Sequence, residues 1–61
     1  MAKIWVLVEN AGYDNERDVE TFEHWHEAAI YRDKYYAEEE KKSAHVEICV
    51  EIDGDRSYDI G

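Results

Sequence analysis

The sequence predicts an α+β domain: an antiparallel sheet of three or four strands with one helix packed on one face, in the order ββαβ with a possible last β. Three observations lead there. Residues His45 to Asp53 alternate cleanly, with Val46, Ile48, Val50 and Ile52 on one side and His45, Glu47, Cys49 and Glu51 on the other, the period of a half-buried strand. Phe22, Trp25, Ala28, Ala29, Tyr35 and Tyr36 recur at three-and-four spacing, the stripe of an amphipathic helix. Asp53-Gly54 is a strong hairpin dipeptide.

Taken in order, Lys3-Ile4-Trp5-Val6-Leu7-Val8-Glu9 is β-branched and apolar at both parities, as in a strand buried on both faces or nearly so. Asn10 to Asn15 is rich in turn formers and reverses the chain. Glu16 to Thr21 alternates but holds one good apolar residue, Val19, and reads as a charged edge strand. The helix follows, capped by Asp18 or Thr21 and closed by Lys41 and Lys42, with Trp25 expected at the centre of its buried stripe. After the strand over His45–Asp53 and its turn, Ser57 to Ile60 offers a short fourth strand.

Sixty-one residues make one domain, residues 1–61, which buries only about 60% of its unfolded surface. Large aromatic rings supply much of the available core. A single cysteine, Cys49, rules out an internal disulfide framework. The apolar run at Ile4–Val8 is too short for a signal peptide or a membrane span. A cytoplasmic protein without a membrane partner is expected.

The formal charge is −9, which disfavours direct contact with nucleic acid and favours basic partners. The excess is uneven. Residues 21–42 hold six acids and four bases, whereas residues 9–20 hold five acids against Arg17, and residues 43–61 five against Arg56. The negative charge therefore belongs to the strands and turns.

If the helix covers the Val46/Ile48/Val50/Ile52 face, the other sheet face is open. Parity assigns Glu47 and Glu51 to that face, together with Glu16, Asp18 and Glu20 of the second strand. For the first strand either parity can face the helix. The trio Ile4, Val6 and Val8 suits the pleated core better, which puts Trp5 and Leu7 outside. Trp5 among Glu16, Asp18, Glu20, Glu47 and Glu51 is then a candidate partner-binding site, an aromatic anchor ringed by steering charge. The alternative has Trp5 under the helix and the acids as ordinary surface. Carboxylates in rows on strands also imitate a phosphate track, as in a DNA mimic.

His24, His26 and Glu27 suggest a metal cluster at first sight, but helical positions two apart point in different directions. His45 and Cys49 are too far apart along a strand to share an ion. No metal and no other cofactor is expected. Acidic neighbours raise the Cys49 pKa, and neither a phosphate loop nor a nucleophile elbow occurs. No catalytic residue, and so no enzyme, is expected.

The run Lys3 to Glu9, a hairpin, then Glu20-Thr21-Phe22-Glu23 leading into Glu27-Ala28-Ala29 resembles small acidic host-takeover proteins of phages and mobile elements. The small RNA-polymerase inhibitors of T7-type phages and the anti-CRISPR proteins are of this kind. The resemblance implies a non-enzymatic inhibitor in the host cytoplasm that blocks a basic nucleic-acid-binding site on a host protein, such as a CRISPR effector, a polymerase or a restriction component. The alternative is an acidic structural or antitoxin-like interaction module that binds a basic partner protein. A homodimer is compatible with either.

Overall fold

A computed structural model describes residues 3–58. Strands β1 (Lys3–Glu9) and β2 (Arg17–Phe22) are followed by helices α1 (Trp25–Tyr35) and α2 (Glu38–Ser43), then by strands β3 (Glu47–Ile52) and β4 (Asp55–Ser57). The four strands form one antiparallel sheet in the order β2-β1-β3-β4. The expected α+β class and element order hold, with β2 at an edge. The fourth strand starts earlier than expected, and positions 59–60 of that expectation lie outside the described residues.

β1 is central because it is apolar at both parities. Val6, Leu7 and Val8 are all buried, and each face has its own apolar cluster. On the helix side Leu7, Ala28, Val46 and Ile48 form the core, with Trp5, Val19, Phe22, Tyr31 and Tyr36 packed against them. On the far side Val6, Val8 and Cys49 cluster with Ile4 and Ala11.

The parity chosen for β1 is therefore reversed. Leu7 pairs with Ile48 and Trp5 with Val50, and directly paired residues share a face. Because β3 turns Val46, Ile48 and Val50 toward the helix, Trp5 and Leu7 follow. A strand apolar on both sides carries no parity signal of its own, so its partner's register decides. Trp5 is half-buried in the helix-side core, with the Lys3 ammonium 5.2 Å from its ring centroid.

The helix also differs. Phe22 ends β2 and Trp25 opens α1, so these two rings do not share a helical stripe. Trp25 is 45% exposed, and the only fully buried α1 side chain is Ala28. The N-cap is His24, not Asp18 or Thr21; its N–H donates to the Glu27 carboxylate at 3.2 Å. Tyr36 is extended (φ −129°, ψ 122°) and separates α1 from α2. That conformation accompanies a ring packed on the helix-side core and a hydroxyl that donates to Glu9 Oε2 at 2.9 Å. Lys41 and Lys42 accordingly close α2 and not α1.

The two hairpins differ in kind. Asp53 (φ 52°) and Gly54 (φ 90°) form the tight β3–β4 turn, the pair of positive-φ positions that such a turn requires. The β1–β2 connection is longer, with Asn10 at φ 57° and Gly12 at φ 85°. A register shift between Leu7 and Val8 leaves Val19 as an extra residue between Asp18 and Glu20, a β-bulge. His45 precedes β3 at φ 47° and lies 4.6 Å from the Tyr13 ring, between ring centroids. It does not belong to the alternating strand.

Leu7 is fully buried while Trp25 is nearly half exposed. Leu7→Ala should cost about 2–5 kcal/mol, much of the stability of so small a domain. Trp25→Ala should cost less than about 1 kcal/mol. Urea denaturation of the two variants checks the ranking; equal losses would place Trp25 in the core after all.

Candidate functional site: an acidic sheet face organised by Arg56

The sheet face away from α1 is built from alternate residues of every strand. β1 contributes Ile4, Val6 and Val8, opposite Glu51, Cys49 and Glu47 of β3. β2 contributes Asp18 opposite Val8, and Thr21 opposite Val6. β4 contributes Arg56, paired with Glu51. That last pair follows directly from the Asp53-Gly54 turn, since a two-residue loop places Ile52 opposite Asp55 and Glu51 opposite Arg56.

Arg56 organises this face. Its Nε donates to Glu51 Oε2 at 2.8 Å. Its Nη1 and Nη2 meet the two oxygens of Asp18 at 2.9 and 2.8 Å, a bidentate pair. Nη1 also lies 3.3 Å from Glu16 Oε1. Arg56, on one edge strand, thus joins carboxylates from the middle of the sheet and from the opposite edge. From β4 to β2 is three strand spacings, about 14 Å in a flat sheet, a distance that the Arg56 and Asp18 side chains span together over β3 and β1. Cys49, Val6 and Val8 lie under this path and are buried. A long side chain can cover apolar surface with its stem while its charged head stays in contact with water.

Glu16 holds the hairpin to the same network: its Oε2 accepts from the Gly12 N–H at 2.7 Å. Tyr58 completes the rim, its hydroxyl pushed up to about 12 by burial and by the Glu16 carboxylate beside it. The Arg56 hydrogen bonds hold the Asp18 carboxyl below its usual range, and Asp18 and Glu51 in turn push the guanidinium further up. Burial raises the Cys49 thiol, as do the Glu51 and Asp18 charges, while Arg56 works against the shift. The expected direction for Cys49 is seen, but burial and not acidity is its main cause.

Of the six residues expected to share a partner site, four lie on this face. Glu16, Asp18 and Glu51 converge on Arg56, and Glu47 lies beyond them on β3, in no ion pair among the described residues. Trp5 is on the opposite face, for the reason of register given above. Glu20 is displaced too: it pairs with Leu7 and so belongs to the helix-side rim. The bulge at Val19 separates it in parity from Asp18, and uninterrupted alternation missed that. Alternation also missed Arg56 and Tyr58. The Glu51–Arg56 pair was within reach of the turn dipeptide alone.

On the helix side a smaller polar cluster forms at the end of β1. Glu9 accepts from Arg17 Nη2 at 2.6 Å and from the Tyr36 hydroxyl. These contacts, Arg17 first, lower the Glu9 pKa, whereas burial and the Glu9 contact push Tyr36 up to about 12. The His24 and His26 rings stack at 5.6 Å with 16° between planes. Positions two apart meet here because His24 is extended and lies outside the helix, so the expectation that they diverge is corrected. Among the described residues no group of three or more His, Cys, Asp or Glu side chains is arranged to hold a metal ion. None of their helices is long and apolar enough to cross a membrane.

The depressed carboxyls of Asp18 and Glu9 make stability depend on acid. Each contributes above the unfolded carboxylate range, near pH 4, and that contribution is lost as pH falls through the lowered native value. Arg56→Met should lower stability at pH 7 by about 1–3 kcal/mol. The gap to wild type should narrow as the pH falls through the lowered native value of Asp18. Urea denaturation at several pH values measures this, and parallel curves would deny the bridges any net contribution.

Comparison with known proteins finds no matching family model, no matching curated sequence and no matching solved structure.

Proposed function

We propose that the chain is a non-enzymatic protein-binding inhibitor whose acidic sheet face occupies a basic nucleic-acid-binding site on another protein. One observation supports this reading above others. Glu16, Asp18, Glu47 and Glu51 share a face on which Arg56 is the one cation among the described residues. Four acids less one base leave a net −3 there, fixed on a sheet and in bridges. Charge held in place steers and orients a basic partner better than charge on mobile side chains, because less ordering entropy is lost on binding. Rows of carboxylates on adjacent strands resemble a phosphate track, which fits a DNA mimic acting on a polymerase, a CRISPR effector or a restriction component. The resemblance to phage and mobile-element host-takeover proteins supports the same reading, and with it action in a host cytoplasm. An antitoxin-like module neutralising a basic companion would use the same face, but without competition for nucleic acid.

Trp5 and Glu20 have no part in this surface, and Glu51 does not suit a charge reversal because it anchors Arg56. Glu47 is the better probe. Glu47→Lys changes the net charge by the same amount as Glu39→Lys on α2, and both positions are exposed. Displacement of labelled duplex DNA from RNA polymerase, a CRISPR effector and a restriction enzyme is the assay. Wild type should displace DNA from at least one of them, with a potency that falls as salt rises. Glu47→Lys should reduce that potency at least tenfold and Glu39→Lys about twofold or less. Equal losses would mean that net charge alone matters, and no displacement from any of the three would count against the inhibitor reading.

A further inference from the structure

A second surface lies on the other side of β2. As an edge strand, Arg17–Phe22 has one row of backbone groups without a neighbouring strand among the described residues, a template for strand addition. The Thr21 N–H donates to the carboxylate of adjacent Glu20 at 2.9 Å. Beside this edge a groove of about 340 Å³ runs along α1, lined by Phe22, Glu27, Ile30, Tyr31, Lys34 and Tyr35. Phe22 belongs to both edge and groove. The Phe22, Tyr31 and Tyr35 rings form a continuous aromatic row, with centroids 5.4 and 4.5 Å apart. Ile30 is 63% exposed and Tyr35 57%, an unusual degree of exposure for apolar side chains that adjoin one another.

Charge selects the occupant. Glu20, Glu23 and Glu27 border the edge and the start of α1, are exposed, and form no ion pair with Lys or Arg among the described residues. A second copy of the chain brings its own −9 to the same place, and like charge opposes that pairing. We propose that the outer edge of β2 accepts an extended, lysine- or arginine-bearing segment of another protein, which adds as a fifth strand and seats one apolar side chain in the groove beside α1. The backbone ladder supplies attachment, the groove selects the apolar residue, and the three glutamates select the basic flanks. This surface is independent of the Arg56 face and carries a different part of a partner.

The test uses the whole chain and the blocked peptide Lys-Val-Lys-Leu-Lys-Val-Lys, followed by amide chemical shifts and hydrogen exchange. Saturable shifts and slowed exchange should concentrate on residues 17–22 and on Ile30 and Lys34. Proline in place of both valines should weaken binding at least tenfold, since it removes strand hydrogen bonds. Ile30→Asp should also weaken it at least tenfold; Ile30 is exposed, and an unchanged melting temperature shows that the fold is kept. The proposal is overturned if the proline peptide binds equally well, if shifts centre on Glu47 and Arg56 or spread over all acidic surface, or if β2 is protected by dimerisation without peptide.

Discussion

Everything in this fold follows from a central strand that is apolar on both sides. Val6, Leu7 and Val8 are consecutive and buried, so β1 requires cover above and below, yet among the described residues α1 is the helix that packs on the sheet. α1 meets the Leu7 side with Ala28, Tyr31 and their neighbours. Among the described residues no helix covers the Val6/Val8 side: Arg56 and Asp18 meet over it from opposite edges, and Tyr58 and the Glu16-held hairpin close the rim. An apolar lid of the same span would leave a large greasy surface on a small protein. An arginine shields with its stem and keeps a hydrated, hydrogen-bonded head.

The same solution explains where the acids are. Glu16, Asp18 and Glu51 are the anchors that hold Arg56 in place, so part of the acidity is structural. Three anchors for one cation leave a negative surplus, and Glu47 adds to it. The surface that seals the second apolar layer is thereby also a patterned negative surface, and its structural and binding roles share side chains. Glu47 is informative because it carries charge on this face without bridging to Arg56.

Much of the fold was legible in the residues. β3 and its turn follow from alternation and from Asp53-Gly54, and the doubly buried character of β1 follows from its composition. The parity of β1 was not legible, because a strand apolar on both sides fits either way; the pairing of Leu7 with Ile48 decides it. The Val19 bulge broke the alternation that grouped Glu20 with Asp18, since an extra residue in a strand leaves no mark in a period-two pattern. The helix stripe misled for a related reason. Phe22 and Trp25 have helical spacing, but the chain is still a strand at Phe22 and starts α1 only at Trp25. In the sequence Arg56 stands only as one base among many acids, although the hairpin register alone sets it opposite Glu51.

The central claim is that Arg56 seals the second apolar layer, and Cys49 reports on it directly, being fully buried in that layer with its thiol pKa raised chiefly by burial. The decisive measurement is the rate at which a thiol reagent labels Cys49 in the native protein as urea is varied. In wild type, labelling should require global unfolding and so rise with the full denaturant dependence of unfolding. In Arg56→Ala it should become at least a hundredfold faster and nearly independent of low urea, the signature of a local opening. A Cys49 that remains as protected in Arg56→Ala as in wild type, once the change in global stability is allowed for, would contradict the account.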